Sequence, residues 1–385
     1  MNIFRAGLFI AALLVLSPAM AVEQVTYLRD GQTVRVEGKL ITKAADGGLL
    51  LLAPSGELHA IQPDEIQEQA SDDRPFAPLS ATEAAEQLLA TLPPGFQVYR
   101  TAHFVICYDT SRAYAEWCGS LFERLYRAFF NFWQRKGLAL HEAELPLVAV
   151  IFADQAAYAQ HAKPVLGDAA SQIIGFYNLQ SNRVTMYDLT GLEALRGQAG
   201  SARGSAAQIN RLLKQPQAEA AVATIIHEAT HQLAYNTGMH HRFADVPLWV
   251  SEGMAIYFES PDLESAKGWR SIGAVNRPRV DQLRTFWPAR NSGSLPALLA
   301  DDGRFRDTRQ ALNAYAEAWA LNYFLLRTRQ KDYVAYLKKL AEKPPMVYDD
   351  EATRLAEFRE AFGQDLQKLD ADFTRGTQKL LGGGR

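Results

Sequence analysis

The hydrophobic pattern of this chain changes period along its length. Residues 25–66 alternate over short runs such as TVRVEGKL, separated by RDGQ, ADGG and PSGE, and so predict antiparallel strands joined by tight turns. From residue 81 the period lengthens. ATEAAEQLLATL and AYAEWCGSLFERLYRAFFNFWQRKG carry apolar residues at three-and-four spacing and predict helices, while HFVICYD and LPLVAVIFA read as buried strands. The aromatic stripe of the longer helix is expected to be core. IIGFYNLQSNRVTMYDL predicts a strand pair around a polar turn at Gln180–Asn182. The segment LRGQAGSARGSAAQ, residues 195–208, has no period and is expected to be a mobile loop. It would cover the neighbouring groove, with Arg196 and Arg203 able to meet a substrate carboxylate. Beyond Ser260, TRQALNAYAEAWALNYFLLRTR, DYVAYLKKLAEK and EATRLAEFREAF predict a helical remainder.

These changes divide the chain into a small SH3-like β-barrel over 22–68, a polar linker over 69–80, an α+β domain over 81–260, a helical subdomain over 261–380 and a short tail at 381–385. Residues 1–21 read differently. Arg5, an apolar run from Ala6 to Leu16 and Ala19-Met20-Ala21 have the form of a secretory signal peptide cut after Ala21, which predicts a periplasmic or secreted product. No cysteine follows that site, so no membrane anchor is expected.

Of the 385 residues 48% are hydrophobic and 22% charged, an ordinary globular composition. The formal charge of -3 favours neither nucleic acid nor an anionic membrane as partner. In an oxidising compartment the two cysteines, Cys107 and Cys118, are either a disulfide or two buried thiols. Oligomeric state leaves no mark in the pattern.

Chemistry concentrates in IIHEATHQLAYNTG, residues 225–238. On a helix His227 and His231 project from one face a turn apart, with Glu228 beside the first. His-Glu-x-x-His is the commonest helical route to a zinc site, with Glu228 placed as general base and a third ligand supplied from elsewhere. The position six residues after His231 is Thr237, which excludes a third histidine there. His240 and His241 lie past the Gly238 helix stop and read as loop residues. Glu252, in VPLWVSEGMAIYFES, is the better third ligand, because an unpaired carboxylate on so apolar a helix is costly without a cation beside it. Asp245 is the reserve.

With HEATHQ followed by an EGMA-type helix, the chain resembles the gluzincin metallopeptidases, and more closely the peptidase MA-like group of exported bacterial proteins. The resemblance spans roughly residues 96–363 and implies NRVTMYD as the edge strand along the cleft. It implies a zincin-like catalytic domain, Zn2+ held by His227, His231 and Glu252, Glu228 as general base, and a peptide or protein substrate, with the cell envelope as one source. Many gluzincins hold the first histidine with an aspartate four residues after the third ligand; here that position is Ile256, and Glu259, on the same helix face as Glu252, is the candidate in its place. NAYAEAWALNYFLL resembles the helix bearing a catalytic tyrosine in gluzincin aminopeptidases and selects Tyr315, with Tyr323 second. The Gly-x-Met-Glu-Asn segment of that branch is missing, which favours an endopeptidase or another amide hydrolase. The rival readings are a zinc-binding envelope scaffold without turnover and a metal-free structural domain.

Overall fold

The computed structural model describes residues 21–191, 205–260, 269 and 271–382. Most of the expected leader, the expected cover segment up to residue 204 with Arg196 and Arg203, and the end of the tail lie outside these. The chain is α+β: two five-stranded sheets, neither closed, precede a mostly helical part. It divides into two compact units, residues 1–54 with 59–77, and residues 55–58 with 78–385. Among the described residues no helix is long and apolar enough to cross a membrane.

In the first unit β1 (Ala21–Arg29), β2 (Gln32–Lys43), β3 (Leu49–Leu52), β4 (Leu58–Ile61) and β5 (Ile66–Pro75) lie in the order β4-β3-β2-β1-β5. Asp30 and Gly31 turn β1 into β2 with φ of 51° and 75°, the left-handed pair that matches a two-residue turn to the twist of its strands. Val25, Tyr27, Leu49, Leu51 and Ile61 form the core of the sheet. Two expectations change here. A 3-10 turn at Pro63–Glu65 joins β4 to β5, and both strands remain edges, so the sheet is open where a closed barrel was expected. The supposed linker also continues β5 as far as Pro75, because β1 pairs along it, Val22 facing Asp72 and Gln24 facing Ala70. Its polarity reflects an exposed edge strand, where a terminal proline is tolerated.

The second unit is built on β6 (Gln97–Arg100), β7 (Phe104–Tyr108), β8 (Leu147–Phe152), β9 (Gly175–Asn178) and β10 (Arg183–Tyr187), in the order β6-β7-β8-β10-β9. β7, β8 and β10 are parallel to one another, and β6 and β9 flank them antiparallel. Side chains alternate between faces, as period two requires. Val105, Cys107, Val148 and Val150 pack with α1 (Ala81–Leu89) and α3 (Gln155–Leu166), while Phe104, Ile106, Ala149 and Ile151 pack with α2 (Arg112–Arg135). Cys107 thus belongs to one core and Cys118 of α2 to the other, and both are buried free thiols. The edge strand is β9, not NRVTMYD: β10 has β8 on one side and β9 on the other, an order that strand alternation alone does not encode.

After α4 (Ala206–Leu213), α5 (Pro216–Asn236) carries His-Glu-x-x-His and α6 (Leu248–Phe258) carries Glu252. The remainder comprises α7 (Arg277–Phe286), α8 (Ser294–Ala300), α9 (Gly303–Arg306), α10 (Ala311–Thr328), α11 (Gln330–Leu340), α12 (Glu351–Phe362) and α13 (Leu366–Gly382). The stretches on either side of residue 260 share one core. Phe132 and Trp133 of α2 pack on Phe258, and α6 lies so close to α10 that a Cβ on Gly253 would collide with Asn322 Nδ2 and meet the Ala318 carbonyl oxygen at 2.6 Å. Glycine is required at that crossing.

Candidate metal centre

Three-and-four spacing gives α5 a polar stripe of Thr224, His227, Glu228, His231 and Tyr235, and gives α6 a facing stripe of Leu248, Ser251, Glu252 and Glu259. Between them lies a cavity of about 460 Å³, whose other walls include Tyr177 of β9, Arg279 of α7 and Tyr315 of α10. Gly238, at φ 83°, ends the histidine helix, and Pro247 starts α6. The chain therefore returns on itself between the two ligand-bearing elements. Glu252 meets both histidines and Glu259 meets only the first, so the two helices run antiparallel across the site.

His227 Nε2 lies 3.1 Å from His231 Nε2 and 3.1 Å from Glu252 Oε2, and His231 Nε2 lies 3.5 Å from Glu252 Oε1. One ligand atom from each of these residues falls within 4.8 Å of the other two. Two nitrogens on one tetrahedral zinc, each roughly 2.0–2.1 Å from it, stand about 3.4 Å apart. The donor set and its spacing fit that ion. Behind His227, Glu259 Oε2 is 3.2 Å from Nδ1, while Glu259 Oε1 accepts a hydrogen bond from Asn276 Nδ2 at 2.7 Å. A carboxylate at Nδ1 holds the proton there and leaves Nε2 as an electron-pair donor toward the cavity.

The ionisable groups respond to burial and to each other. Burial pushes Glu252 upward, but the charge of His231 and hydrogen bonds from both histidines outweigh it and hold the carboxylate well below its ordinary range. Burial opposes protonation of His227, yet Glu252 and Glu259 together raise it well above the usual histidine value. Glu228 is raised, chiefly by burial, against the pull of the two imidazoles. Its Oε2 accepts a hydrogen bond from the Tyr177 backbone N–H at 2.7 Å, so the edge strand fixes the orientation of the carboxylate.

The other expected residues fall as follows. Tyr315 lines the cavity, with its phenol raised by burial and by the charges of Glu252 and Glu228. Tyr323 does not line it; its ring lies 4.2 Å from the Arg327 guanidinium. Asp245 is buried against Arg354 and Lys343 and is not part of the donor set. His240 and His241 are loop residues outside the donor set, as expected; His241 is exposed, whereas His240 is buried, with neither ring nitrogen hydrogen-bonded among the described residues, and burial pushes it down to about 3. Three contributors escaped the sequence reading. Tyr235 sits four residues after His231 on the same stripe, a spacing that was available as a signal; the Tyr177 N–H and Arg279 left none.

A family model described as a protein of unknown function (DUF1570) matches residues 221–347, a span that takes in His227, Glu228, His231, Glu252, Glu259, Arg279 and Tyr315. No curated protein compared with the chain matches it.

Proposed function

We propose that this chain is an exported zinc-dependent hydrolase of peptide bonds. One observation carries the reading: two imidazoles and a carboxylate converge within 4.8 Å, with a second carboxylate behind the first imidazole. A buried cluster of electron-pair donors facing one another is costly unless a cation joins them. His227, His231 and Glu252 would hold zinc, which polarises a carbonyl and lowers the pKa of water. Glu228 is oriented by the Tyr177 N–H and takes a proton from water at its free Oε1, its raised pKa suiting it to pass that proton on to the leaving amine. Tyr315 stands across the cavity as the donor to the oxygen on which negative charge develops. Export rests on the residues of the N-terminal leader, and zincin architecture on the order of strands and helices around the histidine helix.

The test is hydrolysis of a mixed peptide library by zinc-loaded protein, beside Glu228→Gln. A peptidase cleaves as wild type, whereas the variant keeps its zinc and loses cleavage. Equal and negligible cleavage by both, with zinc retained, would leave a metal-binding scaffold and overturn the enzyme reading.

A further inference from the structure

The two ends of the cavity differ. Tyr235 lies one turn past His231 and Leu248 one turn before Glu252, while Thr224 lies one turn before His227 and Glu259 two turns past Glu252. The antiparallel helices therefore put the first pair at one end, with Leu179, whose carbonyl accepts from Arg242 beyond the end of α5, and the second pair at the other, with Arg279 beside Glu259. Arg279 is the only lysine or arginine among the described residues that line the cavity. Its single ion partner among the described residues is Glu259, reached through Nε at 3.7 Å, too far for a hydrogen bond. Glu259 is already engaged through both oxygens, by Asn276 and by His227. The guanidinium makes no hydrogen bond to any described residue, yet it is not a free surface group. Its side chain is 24% exposed, its backbone N–H is held by Asn276 Oδ1 at 3.2 Å, and the guanidinium carbon lies 5.9 Å from the centre of the Tyr315 ring.

We infer that Arg279 is a specificity determinant that receives a carboxylate of the substrate, while the Leu179, Tyr235 and Leu248 end accepts an apolar side chain on the other side of the scissile bond. A held guanidinium with both terminal nitrogens open presents the planar fork that a carboxylate binds bidentately. It sits in the first turn of α7, the end at which the helix dipole is positive. The carboxylate comes either from an acidic side chain or from a free C-terminus, since both offer the same two oxygens.

This inference rests on the peptidase reading for its substrate, so the experiment includes a measurement that does not depend on turnover. Peptides are matched in pairs, Glu against Gln at one position and free acid against amide at the C-terminus. Their binding to zinc-loaded Glu228→Gln protein is measured by calorimetry, and their kcat/KM with wild type. The carboxylate member of one pair should be preferred on the order of 10- to 100-fold, and the ratio should fall toward one in Arg279→Gln and recover in part in Arg279→Lys. Preference in the Glu pair alone identifies a side chain, and in the acid pair alone a C-terminus. Ratios near one in both pairs, or a preference that survives Arg279→Gln, would overturn the inference. Because each ratio is internal to one protein, partial loss of folding or of zinc cancels. Persistent binding preference without any wild-type cleavage would sink the peptidase reading and leave the carboxylate site standing.

Discussion

Removing Glu259 isolates the contribution of the group behind the first histidine. Its two oxygens accept from two donors, His227 Nδ1 at 3.2 Å and Asn276 Nδ2 at 2.7 Å. Glu259→Ala leaves both unpaired in a buried place, and the imidazole is free to turn and to move its proton to Nε2, where it blocks the metal. Loss of such an outer partner costs roughly 10- to 100-fold in metal affinity, or about 1.4–2.7 kcal/mol. Glu259→Gln should do nearly as badly, since one amide oxygen serves only one of the two donors and the amide NH2 faces the other. Zinc affinity is read by competition with a chromophoric chelator at fixed pH, with thermal melting to confirm that the variants are folded. An affinity for Glu259→Ala within threefold of wild type would refute the argument and return Glu259 to a purely structural part.

Four further outcomes follow from the same geometry. His227→Ala or His231→Ala should leave no stoichiometric zinc by metal analysis, and Glu252→Ala should weaken it by several orders of magnitude; full occupancy in Glu252→Ala would mean that the third ligand is misassigned. Tyr315→Phe should lower kcat by roughly 100-fold or more with little change in KM, and an equal loss in Tyr235→Phe but not Tyr315→Phe would transfer the oxyanion role. Gly253→Ala should cost at least about 1–3 kcal/mol in urea denaturation, because the new methyl meets Asn322 and the Ala318 carbonyl; a smaller cost would mean that the two helices separate freely. His240 is held neutral in the fold, pushed down to about 3 from an unfolded value of 6.5, so its effect is absent above pH 6.5 and stability falls by about 1.4 kcal/mol per unit as pH drops from there toward 3. His240→Phe should flatten that slope between pH 6.5 and 4.5, and an unchanged slope would rule His240 out as its source.

The convergence of donor side chains was legible because helical geometry converts sequence spacing directly into a shared face. His227, Glu228 and His231 needed only the three-and-four rule, and Glu259 only its seven-residue offset from Glu252. What escaped was whatever depends on chain segments meeting in space. The Tyr177 contact to Glu228 is made by a backbone N–H and has no side-chain signature. Strand alternation identified β9 and β10 but not their order, so the edge was assigned one strand too far along. Similarly, alternation in residues 25–66 predicts strands without saying whether the first and last close a barrel, and the polarity of residues 69–75 fits an exposed edge strand as well as a linker. His240 reads as polar loop, and only the packing of the return between α5 and α6 buries it.

The composition of the site also explains why its elements are so apolar elsewhere. Three carboxylates, Glu228, Glu252 and Glu259, line one cavity with a single arginine and two imidazoles. Such a cluster repels itself unless positive charge is added. In the absence of an ion, protonation of His227 supplies part of it, which is why its two carboxylate neighbours raise that imidazole so far. A divalent cation supplies more, but it needs Nε2 deprotonated, so binding releases a proton and strengthens as pH rises toward neutrality. Either way the charge resides between α5 and α6, and the helices must withstand it. The aromatic packing of Phe258 on Phe129 and Trp133, and the close crossing of α6 with α10 at Gly253, hold α6 in place from behind. The rigid apolar side of this helix is what allows its other side to hold Glu252 against both histidines and, at its end, Glu259 against His227 Nδ1.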